Sequence, residues 1–199
     1  MSTRQSDKFI VSSRATICTD VDLRGEITIG PGTVLHPRAS ILALGGGAIV
    51  IGKGNIIEEN ATILNRRKEP MIIGDYNHFE VGCRVECPVV GSSNTFGGRC
   101  RLTAQTSVTD RCTIGAGCQV APQPFFDNID EAADSNSIYT ETLPSQTVIY
   151  GKDAMRRKWT GVGADQARAL HLKHLEVLRE ILPQYGRVKQ AAAAESRPA

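Results

Sequence analysis

VGSSNTFGGRCRLTAQTSVTDRCTIGAGCQV, residues 90–120, decides the fold. Counting in sixes from Val90 lands on Phe96, Leu102, Val108, Ile114 and Val120, a bulky apolar residue each time. Four positions after the first five of these stand Asn94, Cys100, Thr106, Cys112 and Cys118, all small or polar, and only Pro124 departs from that rule. Gly91, Gly97 and Gly115 directly follow an apolar landing. A hexapeptide period of this kind is the sequence signature of a parallel β-helix.

The period has a simple physical origin. A strand alternates its side chains between two faces, so one short strand offers a few inward slots. Three strands close a triangular coil of about 18 residues, and coils stack about 4.8 Å apart through parallel backbone hydrogen bonds. The bulky residue fills the interior and the small one fits at the corner. A β-sandwich alternates with period two and turns at irregular spacing. It does not hold a period of six over most of a chain.

The same beat runs upstream through Val11, Ile17, Leu23, Ile29, Leu35 and Ile41, then Ile51, Ile57 and Ile63, then Ile73, Phe79 and Val85. Folding these runs into a prism predicts a first wall of Ile17, Leu35, Ile57, Phe79, Phe96 and Ile114. The second wall holds Leu23, Ile41, Ile63, Val85, Leu102 and Val120, and the third Val11, Ile29, Ile51, Ile73, Val90 and Val108, closed by Ile149. The beat slips only between the second and third walls. Every irregular loop therefore leaves from one corner: glycine-rich 44–48, basic 65–70 with Arg66, Arg67 and Lys68, and acidic 122–145 with Phe125 and Phe126 near its start. In solenoids, insertions cluster on one side, which is often the binding side. A corner that merely tolerates insertion is the other reading. Thr33, Asn55, Asn77, Asn94 and Cys112 form a further column, expected as a structural ladder of stacked amides in the third wall.

The expected organisation is a polar lead over 1–8, the β-helix over 9–151 with its acidic insertion at 122–145, a basic linker over 152–162, an amphipathic helix over 163–185 and a disordered tail over 186–199. On the helix, Ala167, Leu170, Leu175, Leu178, Ile181 and Leu182 are read as one apolar stripe, opposite Arg168, Lys173, Glu176 and Glu180, with Pro183 as the stop. Such a helix covers a wall or an open end of the prism.

A net charge of +2 gives no general attraction to nucleic acid or anionic membrane. No apolar run is long enough to insert in a bilayer, and residues 1–8 lack a secretory core, so a cytoplasmic location is expected. Cys83, Cys100, Cys112 and Cys118 all occupy the small slot of the repeat, where thiols pack as small apolar groups. No C-x-x-C pair points to zinc. A metal site between subunits would need converging histidines. His36 and His78 fall in different coils near the corner before the first wall, and His171 and His174 lie on the helix without an evident third ligand. His36 or His78 could serve as the general base of an acyl transfer, and neither has an orienting partner at obvious spacing. No catalytic residue, cofactor or metal is therefore assigned.

Several stretches are more specific than the repeat. They are 23–31 (LRGEITIGP), 34–39 (VLHPRA), 49–52 (IVIG), 55–59 (NIIEE), 70–74 (PMIIG), 79–83 (FEVGC), 147–151 (TVIYG) with Arg156 and Arg157, and 181–185 (ILPQY). In these the chain resembles the dynactin subunit 5 and 6 family, on its subunit 6 side, over about residues 11–185. The resemblance implies an all-β solenoid, a left-handed parallel β-helix with a C-terminal α-helix. It implies a non-catalytic structural and adaptor role in the dynactin pointed-end complex, serving dynein-driven transport of cargo along microtubules. The implied partners are dynactin subunit 5, the pointed-end actin-related protein and dynactin subunit 4, with a cytoskeleton-associated location. Candidate partner contacts are Arg66, Arg67, Lys68, Phe125, Phe126, Leu170, Leu175 and Leu178. The alternative is a trimeric hexapeptide-repeat enzyme of carbonic-anhydrase or acyltransferase type.

Overall fold

A computed structural model describes residues 7–122, 140–185 and the strand Val188–Lys189. The chain winds as a parallel β-solenoid with one helix, Ala164–Tyr185 (α1). Three sheets of seven, nine and six strands form its walls. Coil-to-coil pairing is in register along each wall. Leu35 pairs with Ile57, Ile57 with Phe79, Phe79 with Phe96 and Phe96 with Ile114 in the first wall. The expected inward residues of the second and third walls pair in the same way, and nearly all are fully buried. Phe79 and Phe96 stack with ring centroids 4.7 Å apart and planes within 1°.

One wall assignment is corrected. Ile149 pairs with Ile114 in the first wall, and the residue closing the third wall is Leu143, which pairs with Val108. The beat resumes at Leu143, six residues before Ile149. The long insertion thus leaves from the same corner as the others.

The corners explain that pattern. Gly32, Gly54, Tyr76, Ser93, Arg111 and Gln146 all have positive φ at the corner from the third wall to the first. Arg38, Asn60, Gly82, Arg99 and Gly117 do the same at the corner from the first wall to the second. A left-handed residue makes a turn of fixed length, so an insertion there would break every coil-to-coil hydrogen bond beyond it. Among the described residues, the corner from the second wall to the third has positive φ only at Gly25 and Gly46 and no such residue in its other turns, and it takes the loops.

The small slots fill as expected. Ala39, Ala61, Cys83, Cys100 and Cys118 line one corner, fully buried, and all six cysteines are free and buried. The polar column lies at the corner before the first wall rather than within the third. There the side-chain oxygens of Thr33, Asn55, Asn77 and Asn94 each accept the backbone N–H of the rung above, at 3.2, 2.9, 2.9 and 2.7 Å.

Both ends of the first-wall sheet are covered by antiparallel strands. Met155–Lys158 folds back on Thr147–Tyr150, so the expected linker is partly a strand. Val188–Lys189 pairs with Thr16–Cys18, so that part of the expected tail is ordered. Such strands occupy sheet edges that would otherwise recruit other chains. The helix runs past Pro183 to Tyr185. A proline in the last turn removes only one terminal hydrogen bond, a small cost where the helix frays anyway. Among the described residues no helix is long and apolar enough to cross a membrane.

Candidate interaction surfaces

The corner loops form the first surface. Residues 65–70 lie on the glycine loop of the coil below, clamped by buried Asn65. Its Nδ2 donates to the carbonyls of Gly47, Ala48 and Glu69 at 3.0, 3.3 and 2.9 Å, and its Oδ1 accepts from Arg67 N at 2.9 Å. The glycines permit this contact, because a Cβ on Gly45 would sit 2.1 Å from the Arg66 carbonyl. Arg66 and Lys68 project into solvent, while Arg67 is half-buried and pairs with Glu69 at 3.2 Å. Two of the three expected basic contacts are thus presented outward on an ordered loop. Phe125, Phe126 and most of the acidic insertion lie outside the described residues.

The second surface is the helix. Leu175 is 2% exposed and packs on Val34 and Ile56 of the first wall's outer face, with Tyr76, Leu178 and Leu182 around it. Leu175 and Leu178, candidate partner contacts by sequence, pack here against the chain's own wall, Leu175 fully and Leu178 in part. Leu170 does not share their face: it is 72% exposed and lines up with exposed Val177 and Ile181. The helix carries two apolar stripes, and only one faces the prism. Two backbone anchors fix it, His171 Nε2 donating to Gly54 O at 2.8 Å and Arg179 donating to Gly32 O at 2.9 Å. Arg168 and Lys53 lie over the Tyr76 ring, 5.3 and 5.7 Å from its centroid.

Beneath the helix the structure brings together residues that spacing left apart. His78, on the first wall, lies 5.5 Å from His174 and 6.3 Å from His171 between ring centroids. Its Nε2 is 2.7 Å from Glu58 Oε1, and His36 Nδ1 is 2.9 Å from Glu59 Oε1. A third histidine therefore lies beside the helical pair, and each of the two wall histidines has a carboxylate partner. Burial pushes His171 and His174 below the ordinary imidazole value, and the hydrogen bond from His78 holds Glu58 below the ordinary carboxylate range. Among the described residues, no three His, Cys, Asp or Glu side chains are arranged to hold a metal ion. The two carboxylate contacts stay within the solenoid, and the helix joins it through the His171 bond to Gly54 O and the ring contacts with His78.

Along nearly its whole length the chain is similar to proteins named dynactin subunit 6. The Dictyostelium discoideum protein is 36% identical over 187 residues, covering 94% of this chain and 90% of the relative. The Danio rerio protein is 34% identical over 200 residues, covering 95% and 91%. The chain belongs to the dynactin subunit 6 family. No family model matches the sequence. Among solved structures, a Bacillus cereus protein described as an acetyltransferase superposes with a TM-score of 0.69 at 16% identity, covering 89% of this chain and 94% of that one. A hexapeptide transferase family protein from Anaplasma phagocytophilum gives 0.62 at 15% identity, covering 87% and 93%. At such identity these two establish the solenoid and nothing of its chemistry. Members of the dynactin subunit 6 family are named as a subunit and not for a reaction, in agreement with the non-catalytic reading.

Proposed function

We propose that the chain is a structural and adaptor subunit of the dynactin pointed-end complex, in the cytoplasm and associated with the cytoskeleton. In this reading it pairs with dynactin subunit 5 and sits with the pointed-end actin-related protein and dynactin subunit 4. Through them it serves dynein-driven transport of cargo. The observation that carries the reading is similarity to dynactin subunit 6 proteins from amoeba to fish over nearly the whole chain. The surfaces described above suit it: an ordered corner with Arg66 and Lys68 outward, and the exposed helix stripe of Leu170, Val177 and Ile181. Complementary charge at such a corner sets register and encounter rate more than raw affinity.

Charge reversal tests the reading. Arg66→Glu, Arg67→Glu and Lys68→Glu combined should weaken co-purification of the neighbouring subunits, and more so at low than at high salt, where screening already suppresses exposed charges. Recovery of those subunits at wild-type levels would remove the corner from the reading and leave the Leu170 stripe as the next surface to change.

A further inference from the structure

The basic run in the expected linker is not used by the surfaces described above. It reads Arg156, Arg157, Lys158, Trp159, Thr160. Among all the serines and threonines of the chain, only Thr160 has a lysine or arginine three positions before it. The structure sorts the cations. Arg156 is half-buried and paired with Glu141. Arg157 and Lys158 are exposed, with the Arg157 guanidinium 6.0 Å from the centroid of the Tyr150 ring. Thr160 is exposed too, and among the described residues its hydroxyl makes no hydrogen bond.

We infer that Thr160 is a phosphorylation site for a basophilic protein kinase, and that its phosphate seats between Arg111 of the solenoid and Arg168 of α1. The inference stands independently of the assembly the chain joins.

Access comes first. A kinase selects its substrate by the charge pattern around the acceptor. In an extended chain Arg157 stands about 10 Å before Thr160. Met155–Lys158 already has that form, as the terminal strand of the first-wall sheet, bonded on one side only. Thr160 then lies in no regular element, and Gly161 and Gly163 both take φ +83° before the helix begins. Glycine adopts such angles without strain, so this stretch can re-form in a kinase cleft. The bond from Trp159 N to Gln146 O, at 2.7 Å, is among the few that must open. In the transfer, Thr160 Oγ1 attacks the γ-phosphorus of ATP. The bond to the β,γ-bridging oxygen breaks, ADP leaves, and the hydroxyl proton passes to the catalytic carboxylate of the kinase.

The seat for the product lies alongside. Trp159 and Ala164 both line a cavity of about 210 Å³, so residues 160–163 connect two of its lining residues. Arg111 and Arg168 line it as well, with Asp165, His171 and Tyr76 as the other ionisable groups. The Arg111 guanidinium has no ion pair among the described residues, and that of Arg168 lies over the Tyr76 ring. His171 is engaged with Gly54 O. Two guanidiniums therefore face one carboxylate. A phosphothreonine brings a charge of about −1.5 to −2 and three strong acceptor oxygens. A guanidinium answers with parallel N–H donors in a planar fork. The first turn of α1 adds backbone N–H groups and the positive end of its dipole. Phosphate in this place ties the start of the helix to the wall.

The test uses the folded full chain, magnesium ATP and the catalytic subunit of cAMP-dependent protein kinase as the basophilic probe. Mass spectrometry should place one phosphate per chain, on Thr160. Thr160→Val should abolish incorporation. Arg157→Gln should lower kcat/KM for the chain by about tenfold or more, while Arg66→Gln, a cation far from the acceptor in sequence, leaves it unchanged. Failure to label Thr160, label that persists in Thr160→Val, or equal rates for Arg157→Gln and the wild type overturns the site. Phosphorus NMR of the phosphorylated chain then reads the seat. The second ionisation of the phosphate, about 6 when free, should fall by about half a unit or more on passing from urea to the folded protein. Arg111→Gln and Arg168→Gln should each return part of that shift. The same ionisation in folded and unfolded chains, or a shift that both substitutions leave intact, overturns the seat.

Discussion

Asn77→Ala is the substitution that most directly probes what locks the coils together. Asn77 is fully buried. Its Oδ1 accepts the Asn94 backbone N–H at 2.9 Å and the Asn94 side-chain amide at 3.0 Å, and its own amide donates to Gly91 O at 2.9 Å. Alanine removes all three bonds and strands two donors and a carbonyl at a dry corner. Each stranded buried group costs about 1–3 kcal/mol, less where the site relaxes or admits a water. The expected loss is about 3–5 kcal/mol, a large part of the 5–15 kcal/mol that holds a typical domain. The first rung supplies an internal control. Thr33 Oγ1 accepts the Asn55 N–H at 3.2 Å and donates to Gly52 O at 2.8 Å, so a hydroxyl can serve both coils. Asn77→Thr should therefore cost no more than about 1–2 kcal/mol, the loss of one bond. Urea unfolding of the three proteins, followed by far-ultraviolet circular dichroism, reads the difference as a shift in midpoint. A loss below about 1 kcal/mol for Asn77→Ala, or equal losses for alanine and threonine, would refute the claim that directed hydrogen bonds join the rungs.

Other consequences follow from the same structure. His171 and His174 have folded values below their unfolded one, so the unfolded chain binds more protons as pH falls through about 6.5. Their contribution is complete above that value and declines below it. Glu58, also held low, loses its contribution only at pH values under the ordinary carboxylate range. The protection factors of the α1 amides, taken relative to the intrinsic exchange rate at each pH, should thus fall between pH 7.5 and 5.5 while those of the wall strands hold, and unchanged protection factors in α1 across that range would contradict the reading. Burial pushes the Cys87 thiol far up, and for Cys83 a hydrogen bond with the Cys100 thiol together with burial does the same. Alkylation at pH 8 should therefore be at least a hundredfold slower in the native protein than in urea, by an order-of-magnitude reading of burial and thiolate fraction. Cys100→Ala should cost little and Cys100→Arg should prevent folding, as read by soluble yield and circular dichroism. Asn65→Ala should make residues 65–70 sensitive to trypsin while lowering global stability by only about 1–2 kcal/mol, because the loop lies outside the core.

The walls were legible because a period of six reports directly which residues point inward. Ile149 was misplaced for the same reason: counting on from Val120 passed over Leu143, and nothing local marks where an interrupted beat resumes. The position of the loops was legible, but its cause was not. Left-handed residues as different as Tyr76, Ser93 and Arg111 share a backbone angle and no chemistry. The helix was legible, and its packing face only in part, since Leu170 and Leu175 belong to different stripes and helical periodicity does not choose between two. His78 meets His171 and His174 across a long stretch of chain, a contact that no spacing rule contains. Asn65, which orders the basic loop, has a faint signal: a polar residue at the end of an apolar strand, directly before the loop it holds.

The central claim is that this solenoid works as one part of a larger assembly and not as an enzyme by itself. Purification of the chain from its own cells under a tag, followed by quantitative mass spectrometry of what elutes at high mass, tests that claim most directly. The account predicts dynactin, with subunit 5, the pointed-end actin-related protein and subunit 4 each near one copy per copy of this chain. A stable homotrimer that elutes alone, free of every dynactin subunit, would contradict it.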